Sequence, residues 1–136
     1  TWSSNSYWFC SSWKRWNQAR NFCRDRNYAL VTINSSDEQD WLINSIREWW
    51  EIPEQSYWIG LNDKADERGR DRSGWSWVSG EDYSYQAWST LYGGQPDNWG
   101  NEDCVHMNYW SYMPAGQDWN DAQCSDEFYF ICEASP

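Results

Sequence analysis

Gln95-Pro96-Asp97-Asn98-Trp99-Gly100-Asn101-Glu102-Asp103-Cys104, with Trp119-Asn120-Asp121 further along, decides the reading of this chain. Five oxygen-bearing side chains, Gln95, Asp97, Glu102, Asn120 and Asp121, fall in two clusters that a bridge between Cys104 and Cys124 could draw together. Oxygen donors of this kind suit a hard divalent cation: Ca²⁺ takes about six to eight oxygens from carboxylates, amide carbonyls, backbone and water. No nitrogen or thiolate donor stands among them, so zinc and copper fit poorly.

Working outward, the chain of 136 residues has the length of a single domain, taken as 1–136, with room for one modest core. Its net charge of −11 disfavours nucleic acid or an anionic membrane as partner. The carboxylate surplus suits a protein that collects cations, or simply an acidic extracellular surface. No apolar run approaches the about 20 residues of a membrane span, so no membrane insertion is expected. The opening Thr1-Trp2-Ser3-Ser4 has neither the basic end nor the apolar core of a signal peptide, as in a mature secreted chain.

Aromatic residues make up 20% of the chain, with Trp 14, Tyr 9 and Phe 4, while the mean hydropathy is −1.02. Aromatics must therefore build much of the core, and some are expected on the surface. Five cysteines, Cys10, Cys23, Cys104, Cys124 and Cys132, with no Cys-x-x-Cys spacing, fit disulfides in an oxidising compartment better than a metal centre.

Along the chain, Tyr7-Trp8-Phe9 reads as a strand. Residues 13–26 read as a helix, with Trp16, Ala19, Phe22 and Cys23 on one face, and 29–33 as a strand. Ser35 and Glu38 form a capping-box pattern opening a second helix that runs through Trp49, with Pro53 beyond its end. Residues 57–61 and 75–78 read as strands on either side of a charged loop, 64–74. The stretch 79–102 shows no helical period and is longer than structureless connections ordinarily run, which points to function. Residues 104–107 and 128–132 read as closing strands, with 118–121 as an acidic loop between them.

This order resembles the C-type lectin family, over almost the whole chain. The matching stretches are Trp16-Asn17-Gln18-Ala19 before Phe22-Cys23, Ala29-Leu30-Val31, Glu38-Gln39, Trp58-Ile59-Gly60-Leu61, Glu102-Asp103-Cys104-Val105, Trp119-Asn120-Asp121 and Phe130-Ile131-Cys132-Glu133. The resemblance implies an α+β C-type lectin-like fold, two helices flanking small antiparallel sheets, with a long calcium-binding loop region. It also implies the pairings Cys23–Cys132 and Cys104–Cys124. Cys10 is then odd, either a buried thiol or a link to a second chain in a homodimer or higher oligomer.

In that family Glu-Pro-Asn at this loop goes with mannose-type sugars and Gln-Pro-Asp with galactose or N-acetylgalactosamine, the proline being held cis. The resemblance therefore implies a secreted, non-enzymatic lectin for galactose- or N-acetylgalactosamine-terminated glycans. Its Ca²⁺ would be held by Gln95, Asp97, Glu102, Asn120 and Asp121, and would take the sugar's 3- and 4-hydroxyls. Trp99 would stack under the sugar's apolar face, with loop packing as its plainer role, and Tyr109, Trp110 and Tyr112 are candidates for a neighbouring wall. One departure is that only Gly100-Asn101 separates Trp99 from Glu102, where galactose-type members often carry a glycine-rich insertion.

A second calcium would use Asp63, Glu67, Asn98 and Asp103, unless Arg68, Arg70 and Arg72 neutralise those acids in salt bridges. His106, the only histidine, reads as a core residue, with no second base to make a nucleophilic triad. Asn34-Ser35-Ser36 is a glycosylation sequon that coincides with a helix start. Two rival readings are a lectin-like module that binds protein without sugar, and a glycosidase using Asp97 and Glu102.

Overall fold

A computed structural model describes residues 2–49, 51–53, 55–63, 74–89, 96, 102–108 and 118–136. The polypeptide forms β1 (Ser6–Lys14), α1 (Trp16–Arg24), β2 (Ala29–Leu30), α2 (Ser36–Glu48), β3 (Ser56–Asn62), β4 (Ser76–Trp77), β5 (Cys104–Asn108), β6 (Trp119–Ala122) and β7 (Phe128–Ala134). The strands join in one sheet of order β1-β7-β3-β5-β6, with β2 on β7 and β4 on β3. This differs from the expected small antiparallel sheets in two respects: the strands form a single sheet, and within it β3 and β7 run parallel, Trp58 facing Phe130.

The first and last strands pair, Trp8 opposite Cys132 and Phe9 opposite Ile131. Because side chains alternate across a strand, the sheet buries two sets of residues. Tyr57, Ile59, Leu61, Val105, Met107, Trp119 and Ile131 pack under α2 with Leu42 and Ile46. Trp58, Cys104, Ala122, Phe130 and Cys132 pack on the other face against Trp16, Ala19 and Cys23 of α1. Burial on both faces explains why β3 reads as an unbroken apolar run. At Gly60 a Cβ would lie 2.9 Å from the Leu30 carbonyl oxygen, so only glycine lets these backbones approach so closely.

The first helix is shorter than its periodicity predicts. Trp13 continues β1 and packs on Tyr129, and the Lys14 carbonyl accepts from the Trp58 indole N–H at 2.8 Å. The turn is then set by Gln18, whose Oε1 accepts from the Arg15 N–H at 3.0 Å, and Trp16 Nε1 donates to the Ile59 carbonyl at 2.9 Å. The helix stops where Asn27 enters the left-handed region at φ 63.

At α2, Ser35 Oγ accepts from the Glu38 N–H as the sequence predicts. The return half of the expected box is different: Glu38 Oε1 accepts from the Asn34 N–H at 2.9 Å and Oε2 from the Tyr7 hydroxyl at 2.6 Å. Only Ala29–Leu30 of the expected 29–33 strand and Ser76–Trp77 of 75–78 join the sheet as strands.

Both expected disulfides are present, Cys23–Cys132 with a Cα separation of 5.5 Å and Cys104–Cys124 with 5.2 Å. By loop-closure entropy each contributes roughly 3–5 kcal/mol. Cys10 is free and buried, its Sγ 3.6 Å from the Trp8 carbonyl, and burial pushes its thiol up to about 12. Of the two readings open for Cys10, the structure shows the buried thiol. Trp8, Trp13 and Trp49 are the exposed large apolar side chains among the described residues. No helix among those residues is long and apolar enough to cross a membrane.

Candidate functional site

Residues 118–121, expected as a loop, contain the main surprise: Trp119–Ala122 is a strand. Asn and Asp are poor strand formers, and the composition hides what places them there. Trp119 is fully buried, with the rings of Trp77, Tyr85 and Trp88 edge-on at 5.5, 5.7 and 5.8 Å. Its indole N–H donates to Gln39 Oε1 at 2.8 Å, while Gln39 Nε2 donates to Asp118 Oδ2 at 3.1 Å. Gln39 and Asp118 were not singled out by sequence; the only signal was that Glu38-Gln39 matches the family pattern. Burial pushes the Asp118 carboxyl up to about 6.

The ladder between β5 and β6 sets His106 opposite Asn120 and Val105 opposite Asp121. Asn108 N–H donates to the Asp118 carbonyl at 2.8 Å, which fixes the alternation: the N–H and C=O of Asn120 point toward β5. Trp119 turns its own groups the other way, its N–H to the Ala87 carbonyl and its C=O to the Ser89 N–H, both at 2.9 Å. Two residues on, the Asp121 backbone carbonyl faces that same outer edge of β6. Asn120 and Asp121 thus straddle the sheet's last strand, with Asp121 1% exposed.

Glu102, half-buried, stands two residues before β5, the strand paired with β6. The Cys104–Cys124 bridge closes the same pair of strands, and the Cys124 carbonyl accepts from the Trp16 N–H at 3.1 Å, tying that corner to α1. Pro96 is buried. Gln95, Asp97 and Trp99 lie outside the described residues, as do Tyr109, Trp110 and Tyr112.

Of the second set, Asp63 and Asp103 are brought together: the Asp63 N–H donates to the Asp103 carbonyl at 3.0 Å, and Asp63 is 0% exposed. Glu67 and Asn98 lie outside the described residues, as do Arg68, Arg70 and Arg72. Asp103 Oδ1 is buried with no hydrogen-bond partner among the described residues, which is costly for a carboxylate oxygen and is relieved by a cation. The donor set contains only oxygen, so the residues present fit calcium. Among the described residues no three acids, histidines or cysteines are grouped as a metal site.

His106 is 4% exposed, stacked on Phe128 at 4.4 Å with Trp58 edge-on at 6.0 Å. Burial lowers its pKa to about 3, so it is a neutral core ring. Asn34, of the sequon, donates through Nδ2 to Glu81 Oε1 at 3.0 Å.

Residues 12–134 match the family model described as Lectin C-type domain. C-type lectin domain family 10 member A of Mus musculus is 36% identical over 93% of this chain, and this chain spans 37% of that protein's length. The alpha-N-acetylgalactosamine-specific lectin of Patiria pectinifera is 29% identical over 98% of this chain and 76% of its own. Among solved structures, the carbohydrate-recognition domain of the mouse scavenger receptor C-type lectin is 35% identical, with a TM-score of 0.79 over 99% of this chain and 91% of that one. The paired cysteines, the two helices on a mixed sheet and these likenesses agree, and the chain belongs to the C-type lectin domain family.

Proposed function

We propose that this chain is a secreted, non-enzymatic, Ca²⁺-dependent lectin for glycans ending in galactose or N-acetylgalactosamine. The observation that carries the reading is the β5–β6 ladder, which holds Asn120 and Asp121 on the strand paired with the one that Glu102 precedes by two residues. Gln95-Pro96-Asp97 supplies the remaining ligands and the galactose-type loop. The disulfides suit an oxidising compartment.

Gln95, Asp97, Glu102, Asn120 and Asp121 would hold the ion, which when bound supplies a hard Lewis-acid centre for two vicinal sugar hydroxyls. The same side chains read the sugar. Amides of Gln95 and Asn120 donate to its hydroxyl oxygens, and carboxylates of Asp97 and Glu102 accept from its O–H groups. Which side of the loop is amide and which is acid sets the donor–acceptor order, and with it the preferred pair of hydroxyls. Trp99 offers an aromatic face to the C–H face of galactose. Asp63, Glu67, Asn98 and Asp103 would hold a second ion. With Asp97 and Glu102 engaged on the ion, neither is left to act as one of a glycosidase pair, and His106 is enclosed in the core.

A glycan array run with calcium and again with EDTA tests the reading. Retention of terminal galactose and N-acetylgalactosamine, lost in EDTA, is expected. Binding that chelation leaves intact would overturn it in favour of a metal-independent module.

A further inference from the structure

Charge is unevenly spread along this acidic chain. Residues 1–26 carry Lys14, Arg15, Arg20, Arg24 and Arg26 against a single acid, Asp25, although the whole carries 21 acids and 10 cations. Arg24 pairs with Asp25 at 3.5 Å, the one ion pair among the described residues. Lys14 and Arg26 instead lie over the Phe22 ring, at 5.6 and 3.6 Å from its centre. Phe22 meets Trp8 edge-on at 5.4 Å, and Trp8, 43% exposed, meets Tyr28 at 6.1 Å.

Tyr28 then lines a cavity of about 300 Å³ with Asn5, Thr32, Glu81 and Glu133. Glu133 accepts from the Thr32 N–H and the Asn5 amide at 3.0 and 2.9 Å, and Glu81 from the Asn34 amide. Neither acid has a cation partner among the described residues. One continuous surface therefore runs from a basic end (Lys14, Arg26), through aromatics (Phe22, Trp8, Tyr28), to an acidic end (Glu81, Glu133).

A surface with opposite charges at its ends and an apolar centre is complementary to itself after a two-fold rotation about that centre. We infer that the chain forms a non-covalent two-fold dimer across this surface, Trp8 and Tyr28 packing at the axis while Arg26 of each copy faces Glu81 and Glu133 of the other. The occupant is a second copy because the acidic half matches the basic half of the same molecule, whereas a foreign anion would use only one. Large aromatics at the centre with charges at the rim are what protein interfaces commonly show. The overall charge of −11 opposes association, but at physiological salt it is screened within about 8 Å, so the local pairs decide.

The test is the mass of the 136-residue chain by sedimentation velocity at about 0.15 M salt and up to about 100 µM protein. A species near 33 kDa, about twice 16.4 kDa, is expected without any covalent link. Arg26→Glu or Glu81→Lys alone should raise the dimer dissociation constant about tenfold or more. An equal mixture of the two single variants should form a heterodimer, and the double variant should recover wild-type association, because each reversed end meets a reversed end. Trp8→Ala should weaken association while the circular dichroism spectrum stays native. A monomeric wild type, single reversals that dimerise normally, or a double variant that fails to recover would each overturn the inference. So would a monomer retained on dextran sulfate through Arg26, which would assign the basic end to a foreign anion.

Discussion

The indole N–H of Trp119 donates to Oε1 of Gln39 at 2.8 Å, fastening the strand that carries Asn120 and Asp121 to the buried face of α2. Gln39 also donates to Asp118, so one amide satisfies two polar groups beneath the candidate site. Gln39→Leu should leave both groups buried and unbonded, at a cost of about 2–4 kcal/mol in chemical denaturation. Calcium affinity should fall as well, through loss of strand position. A stability change within about 0.5 kcal/mol of wild type would show that β6 is held by ring packing alone.

Asp121→Ala removes a buried carboxylate from the edge strand. Calcium affinity by calorimetry should drop by more than about hundredfold, beyond the loss of an outer-shell partner, and galactose binding should go with it. The disulfides and both packed clusters do not involve this side chain, so the far-ultraviolet spectrum should persist. Sugar binding that survives the loss of calcium would separate the two functions and count against the proposed site.

The paired change Gln95→Glu with Asp97→Asn keeps five oxygen ligands while exchanging amide and acid across the loop. Preference should move toward mannose in competition assays, limited by the ring of Trp99, which suits the galactose face. Undiminished galactose preference would place specificity elsewhere.

Glu38 gives a pH prediction remote from that site. Burial raises its pKa above the usual carboxylate value, and the nearby Glu133 and Glu81 add to the effect, although the Tyr7 and Asn34 hydrogen bonds oppose it. A group with a raised folded-state pKa contributes stability below its unfolded value, about 4.5, and loses it as pH climbs through the folded value. Glu38→Gln lacks that titration and can still bond to Tyr7 and Asn34. Its Tm should therefore gain on wild type as pH rises from about 4.5 to neutrality. A gap that shrinks over that range would show that Glu38 is stabilised as the carboxylate.

Cys10 should give a single band near 16.4 kDa on a non-reducing gel. Its thiol should resist alkylation in native buffer and react fully once the chain is unfolded, since burial both hides the sulfur and disfavours thiolate. A reducible band of twice the mass would restore the link that the fold argues against.

Much of this fold was legible because local signals and core faces coincide. Trp16, Ala19 and Cys23 recur at helical spacing because that face packs on β3 and β7, and Ser35 marks the start of α2 with its own hydroxyl. The errors arise where distant partners override local preference. Trp13 leaves the helix for Tyr129, and Asp118 to Asp121 lie in or against a strand because Trp119 is pulled into the core. In the same way Asp63 and Asp103 were named from resemblance, but their adjacency depends on a backbone bond between segments 40 positions apart. Cys10 stayed open because a lone cysteine looks the same in sequence whether enclosed or exposed; only the packing against Trp8 and Phe130 distinguishes the two.

The pairing of the first strand with the last sets Ser6 opposite Ala134, at the far side of the sheet from β6. Four strand spacings separate β1 from β6, about 19 Å at roughly 4.8 Å each. A stalk, membrane tether or fused reporter attached at either end would therefore leave from the side opposite Asn120 and Asp121. The edge that carries the candidate site would stay clear of such an attachment, so immobilising the domain by either end should leave that edge open.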